Sequence, residues 1–181
     1  MKRNIYILAF IAILLFGCNN KEISYPPEPQ IDFTKMYVID SVDALGNKIK
    51  IYDIFFNIID GDYDFGLKDS DTTGIFSHDS TYYNNLFITY YVYSNGGWRI
   101  LDVPSSNYRI PYVPPQGLNK YFKAEIDVKI ALQIGFLSVD SLKFKFYVVD
   151  KALHKSNEQE TPAVSLDFSG IIVDTVNIIS P

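Results

Sequence analysis

One cysteine and two histidines stand in a chain of 181 residues. A single thiol excludes an internal disulfide framework and any multi-cysteine metal site, and two imidazoles exclude a histidine-rich centre. Basic residues are outnumbered 16 to 21, so the formal charge is -5 and the pI about 4.9. That balance excludes a strongly basic nucleic-acid binder as the default, and no nucleic-acid partner is expected. No apolar run reaches the roughly 20 residues a membrane-spanning helix needs. Neither a phosphate-cradling glycine loop nor a Gly-x-Ser-x-Gly elbow occurs. What the chain does have is apolar and aromatic mass: 48% hydrophobic residues and 15% aromatic, with 14 Tyr and 13 Phe. This is too apolar for a disordered protein, enough for one domain with a real core, and short for two.

Lys2 and Arg3 make a positive start, and Ile5 to Phe16 is an uncharged, mostly apolar run of 12 residues. That length fits the h-region of an export signal better than an anchor. The run closes on Leu15-Phe16-Gly17-Cys18 and gives way at once to Asn19, Asn20, Lys21 and Glu22. This ending resembles the lipobox of bacterial lipoproteins, with Leu15, Gly17 and Cys18 matching and Phe16 departing from the small or β-branched residue usual there. The resemblance implies that residues 1–17 are a signal peptide and that Cys18 is acylated and becomes the first residue of the mature chain. One acyl chain anchors only marginally, whereas two or more hold stably. No Asp follows Cys18, so the inner-membrane retention signal of enteric lipoproteins is missing and an outer-membrane location is expected.

Residues 18–30 have no hydrophobic period and contain Pro26, Pro27 and Pro29. Such a segment favours an extended tether at ~3.1 Å per residue, roughly 40 Å from Cys18 to Ile31. Beyond it the period is two. Ile31 to Asp40 reads as an opening strand, and Tyr52, Ile54, Phe56 and Ile58 form one face of the next. The other face of that strand carries Ile51, Phe55 and Ile59 as well, which places it centrally in its sheet. Leu86 to Tyr93 is apolar on both faces. Phe122 to Leu132, Leu142 to Val148 and Val164 to Phe168 alternate apolar with charged or polar residues. Gly46-Asn47 separates the first two strands, and Asn95-Gly96-Gly97 closes a hairpin onto Trp98–Leu101. Seven or eight strands without a convincing helical period predict an all-β fold, a single immunoglobulin-like β-sandwich over residues 31–181. The Cys…Trp…Cys signature of antibody domains is lacking. Residues 171–181 read either as an extra edge strand or as a tail that pairs with a partner.

Asp60-Gly61-Asp62-Tyr63-Asp64-Phe65-Gly66 leaves a strong strand directly into a loop, with Asp69 and Asp71 following. Carboxylates at alternate positions with glycines between them can wrap a hard cation in oxygen ligands, and calcium is the one cofactor the loop suggests. Phe65 and Asp71 occupy the sixth and twelfth positions, where an EF-hand wants Gly and Glu, so the loop is not an EF-hand. The competing reading is a solvated acidic loop that holds no ion.

The chain resembles small uncharacterised lipoproteins of Bacteroidota. The resemblance rests on the Pro-rich start at Tyr25 to Ile31, the Asp-Gly loop at Asp60 to Leu67, Tyr108-Arg-Ile-Pro-Tyr112, the turn Asp150-Lys-Ala-Leu-His-Lys-Ser-Asn157, and Thr161-Pro162. Lys151 and His154 replace the Arg and Asn usual in that turn, and Tyr63 replaces a glycine common in the loop. The resemblance implies an export route and a sandwich fold, and carries no catalytic activity.

His78, in Phe76-Ser-His-Asp-Ser80, has a carboxylate and two hydroxyls beside it, but such a cluster reads more simply as a surface loop. Tyr82, Tyr83, Tyr91, Tyr93 and Trp98 offer faces that can stack on sugars or anchor a partner, while the simpler account has aromatics filling core and cross-strand positions. The expectation is therefore a lipid-anchored envelope protein, held to the membrane through Cys18. It acts as a non-enzymatic binding or structural module with a protein or glycan partner. A glycan-binding surface lipoprotein using Trp98, Tyr91 and Tyr93 is the alternative, and a carbohydrate-active hydrolase a remote one.

Overall fold

A computed structural model describes residues 24–101, 107–115, 117, 120–133 and 139–167. Cys18, the apolar run before it and residues 171–181 lie outside the described residues. Among the described residues, eight strands form two sheets: β1 (Gln30–Val42), β2 (Lys48–Asp60), β3 (Leu86–Ser94), β4 (Gly97–Ile100), β5 (Phe122–Gln133), β6 (Ser141–Val148), β7 (Gln159–Glu160) and β8 (Val164–Ser165). One sheet has the order β1-β2-β5. The other has the order β4-β3-β6-β7, with β8 pairing a different stretch of β6. All the strand pairs are antiparallel. The order matches the A-B-E and C′-C-F-G sheets of an immunoglobulin-like sandwich.

The alternation read from the sequence is the alternation between core and solvent. On β2 the even positions Tyr52, Ile54, Phe56 and Ile58 are all buried, and β2 lies between β1 and β5. On β6, Leu142, Phe144, Phe146 and Val148 face inward, and on β3, Leu86, Ile88, Tyr90 and Val92 meet them. With few Leu and Met to fill it, the core is built from rings. Tyr52 and Tyr90 each meet Phe144 edge-on, at 5.0 and 5.1 Å between centroids, and Phe56 lies 5.1 Å from Phe146. Asn95 and Gly96 both adopt left-handed backbone conformations (φ 53° and 81°). That is the geometry a two-residue hairpin needs for its twist to match that of β3 and β4.

Two features escape the period. Short 3-10 turns occupy Gly74–Phe76 and Thr81–Tyr83 in the long loop between β2 and β3. β7 is two polar residues long, and its place is set by long-range bonds rather than by burial.

The strand directions give the sandwich two ends. β2 and β6 finish at the same end at which β1, β3 and β5 begin, as the pairs Gln30–Ile59, Asp60–Phe122 and Leu86–Val148 record. We call this the acidic pole. Two asparagine side chains there take the place of backbone partners. Asn157 accepts from the Ile31 N–H and donates to the Ile31 carbonyl, both at 2.8 Å, joining β1 to the far sheet. Asn85 does the same for Ile110, at 2.6 and 3.1 Å. Arg109 donates to the carbonyls of Lys68, Asp71 and Tyr83, tying the long loop down. The N-terminal lead also enters here. A Cβ on Gly61 would lie 2.2 Å from the Pro26 carbonyl oxygen and 2.4 Å from that of Tyr25, so only glycine lets the lead cross.

Candidate metal centre

β2 delivers Asp60 to the acidic pole as its last inward-facing residue, and β6, in the other sheet, continues two residues further to Asp150. The loop after β2 turns back at once. Asp60 Oδ2 accepts from the backbone N–H of Asp64 and of Phe65, at 3.0 and 3.1 Å, which folds the loop over its own carboxylate. Tyr63 sits within this turn at φ 65°, a conformation uncommon outside glycine, and its ring packs on Phe122 at 5.7 Å. Phe65 stacks on the same ring. One carboxylate oxygen from each of Asp60, Asp64 and Asp150 thereby falls within 4.8 Å of the others.

Two of these acids are withdrawn from solvent, and Asp64 is half-buried. Asp60 is 0% exposed and Asp150 2%. Burial, reinforced by the charges of Asp64, Asp62 and Asp150, pushes the Asp60 carboxyl up to about 6, although the Phe65 N–H opposes this. Burial, with Asp150 and Asp62, pushes Asp64 up to about 6 as well. Asp150 is raised by burial, with His154 pulling against it. His154 serves as clasp on the outer side. Its backbone N–H donates to Asp150 Oδ1 at 2.7 Å, its Nδ1 lies 2.9 Å from Oδ2, and the contact raises the imidazole pKa. Asp64 Oδ2 accepts from the Ala152 N–H at 3.0 Å, so each loop holds the other. Two oxygens remain: Asp60 Oδ1 and Asp64 Oδ1 are buried and accept no hydrogen bond.

Of the five aspartates the sequence offers for a cation, the fold therefore gathers Asp60 and Asp64. Asp62 is exposed, close enough for its charge to act on the other two. Asp69 is exposed, and Asp71 is drawn elsewhere. Its Oδ2 accepts from the Lys68 N–H and pairs with Lys151 Nζ, both at 2.9 Å, and these contacts lower its pKa. The residue that spacing does not supply is Asp150, ninety positions from Asp60. Its visible signal is the Asp150…His154 turn at the end of a strand.

The aromatic candidates divide between the two ends. Tyr91, Tyr93 and Trp98 share the outer face of the second sheet, where Tyr93 opposes Trp98 with ring centroids 5.4 Å apart. Lys143 Nζ lies 4.6 Å from the Trp98 ring and 2.7 Å from Glu160. Trp98 is 41% exposed. Tyr82 and Tyr83 belong instead to the 3-10 turn beyond the opposite end of β3, against Phe87 and against His78 and Arg109. A groove of about 380 Å³ runs beside β5, lined by Tyr108 to Pro111 and Val113. No family model, curated protein or solved structure matches this chain.

Proposed function

We propose that this chain is an exported, lipid-anchored protein of the bacterial cell envelope, akin to small lipoproteins of Bacteroidota. It works there as a non-enzymatic binding or structural module. The observation that carries the reading is the position of its one cysteine: Cys18 directly follows Gly17 at the end of a 12-residue apolar run behind Lys2 and Arg3. The Pro-rich stretch after it leads to Gln30, where β1 starts.

A non-enzymatic role is supported by how both histidines and the loop serine are used. His154 is bonded to Asp150, the His78 ring lies against Tyr83, and the Ser80 hydroxyl donates to the Ile75 carbonyl. A second reading, recognition of a glycan, draws on the outer-face trio of Tyr91, Tyr93 and Trp98, where an exposed indole stands beside a lysine.

Cys18→Ala decides the anchor. The parent is expected to incorporate labelled palmitate and to fractionate with membranes. The variant is expected to incorporate none and to leave the membrane fraction. A variant that still takes up label and stays with membranes overturns the reading. For the glycan, Trp98→Ala should lower retention on a polysaccharide column without changing the far-UV circular dichroism; unchanged retention removes that alternative.

A further inference from the structure

Buried carboxylates carry net charge that must be met by a proton, a basic side chain or an ion, because an unpaired charge away from water is costly. Among the described residues, two basic side chains at the acidic pole are committed elsewhere or to one acid only. Lys151 is held by Asp71, and His154 meets Asp150 from the outer side, where it is itself 39% exposed. Asp60 stays fully buried, in contact range of two further carboxylates, with an oxygen that accepts nothing. An oxygen of Asp64 is in the same condition.

We propose that Asp60, Asp64 and Asp150 together hold one calcium ion between the ends of the two sheets, with the exposed Asp62 supplying further negative charge. Calcium takes oxygens at 2.3–2.6 Å, so two of its ligands can be about 4.6–5.2 Å apart when they lie on opposite sides of the ion. The three carboxylate oxygens lie within 4.8 Å of one another, inside that limit. Magnesium, with ligands at about 2.0–2.1 Å, needs the set drawn closer, in strict octahedral geometry, and sheds water reluctantly. The donors are all oxygen, which suits a hard cation and not a thiophilic metal. Water completes the six to eight ligands calcium prefers. Two ligands sit at one end of β2 and the third beyond β6, so the ion bridges the sandwich layers close to where the N-terminal lead crosses Gly61.

The test uses the detergent-solubilised full chain, stripped with EDTA and titrated with calcium chloride by calorimetry and by thermal melting. One ion per chain is expected. At a hundredfold excess over Kd the melting midpoint should rise by roughly 6–10 °C by mass action. Magnesium should give a smaller rise. Asp64→Asn and Asp150→Asn keep an oxygen for the backbone donors they serve, so they should fold, as circular dichroism will verify. Each should weaken calcium binding at least about tenfold, the effect of 1.4 kcal/mol at the ion.

Asp69→Asn should bind like the parent, and a loss there equal to that of Asp150→Asn would overturn the assignment in favour of the contiguous loop. Equal midpoints in calcium, in EDTA and in sodium chloride of matched ionic strength, with no heat of binding, would overturn the site altogether. Neither result touches the palmitate experiment, so this site and the anchor stand or fall separately.

Discussion

Lys50 and Asp60 occupy the same inward face of β2, ten residues or about 33 Å apart along the strand, and both are buried. At the Lys50 end the charge is met by the fold itself. Asp40 lies directly across on β1, is equally buried, and accepts from Lys50 Nζ at 2.5 Å. At the Asp60 end the neighbours that burial brings in are Asp64 and Asp150, of the same sign. One strand thus ends in a closed ion pair and in an open anionic cluster. The lesson is that register alone can neutralise a buried charge when the partner strand offers the opposite sign opposite it. Where three segments from two sheets converge with like charges and His154 meets only Asp150, the charge left over has to be met by a proton or an ion.

The comparison breaks hardest at the closed end. Lys50→Met leaves Asp40 buried beside an apolar side chain, and breaking a buried pair from one side costs about 3–5 kcal/mol. The midpoint should fall by roughly 6–20 °C in a thermal melt. Lys50→Met combined with Asp40→Leu should recover most of the loss, since replacing both charges removes the desolvation cost along with the attraction. A double variant as weak as the single one would mean that the pair matters for more than its charge.

At the open end a smaller effect of unusual sign is expected. The folded-state pKa values of Asp60 and Asp64 are about 6, above the ordinary 3.8. Between those two values the folded protein binds protons that the unfolded chain releases, so acidification favours folding. In EDTA the midpoint should therefore rise by a few degrees as the pH falls from about 7 to about 5. Saturating calcium should flatten that rise, because the proton and the ion compete for the same oxygens. A midpoint that falls steadily over this range in EDTA would place an internal counter-ion at the acidic pole and erase the contrast between the ends.

The smallest effect belongs to the surface. Glu158 lies between Lys145 and Lys155, and hydrogen bonds to both lower its pKa to about 2. A depressed carboxylate contributes stability that is present above its unfolded value, near 4.5, and is lost as the pH falls toward 2. Glu158 is solvated, so Glu158→Gln should lower the midpoint at neutral pH less than any change above, and about 1 M sodium chloride should erase the difference. A larger drop than that of Lys50→Met would show that surface charge, not burial, governs the ledger of this fold.

What could be read in advance follows from how local each signal is. Alternation over eight to thirteen residues marked β1, β2, β5 and β6, because burial of one face imprints a period of two on the sequence, whereas β3 was marked by a run apolar on both faces. Asn95-Gly96 marked its hairpin, because few dipeptides accept two left-handed conformations in a row. β7 was invisible: Gln159 and Glu160 bury little, and Gln159 earns its place by accepting from the Phe33 N–H and by pairing with Phe146. For the site, Asp60 and Asp64 were legible as carboxylates leaving a strand. Asp71 looked equally eligible by spacing until Lys151 drew it off. Asp150 could not be joined to Asp60 from sequence, since what brings them together is the packing of one sheet on the other.

The clasp between Asn157 and Ile31 gives the molecule a mechanical character. Any tension transmitted through the residues ahead of Gln30 reaches β1 at its first rungs. There the load does not fall on the β1–β2 ladder alone. Asn157 grips both the N–H and the carbonyl of Ile31, and Gln159 grips the N–H of Phe33. Both belong to the segment that follows β6 in the other sheet, so a pull on β1 is divided between the layers from the outset. Peeling β1 away one rung at a time, the weak way to load a strand edge, has to break these side-chain bonds as well as the ladder. Asparagine 157 works as a strain relief where the line enters the housing.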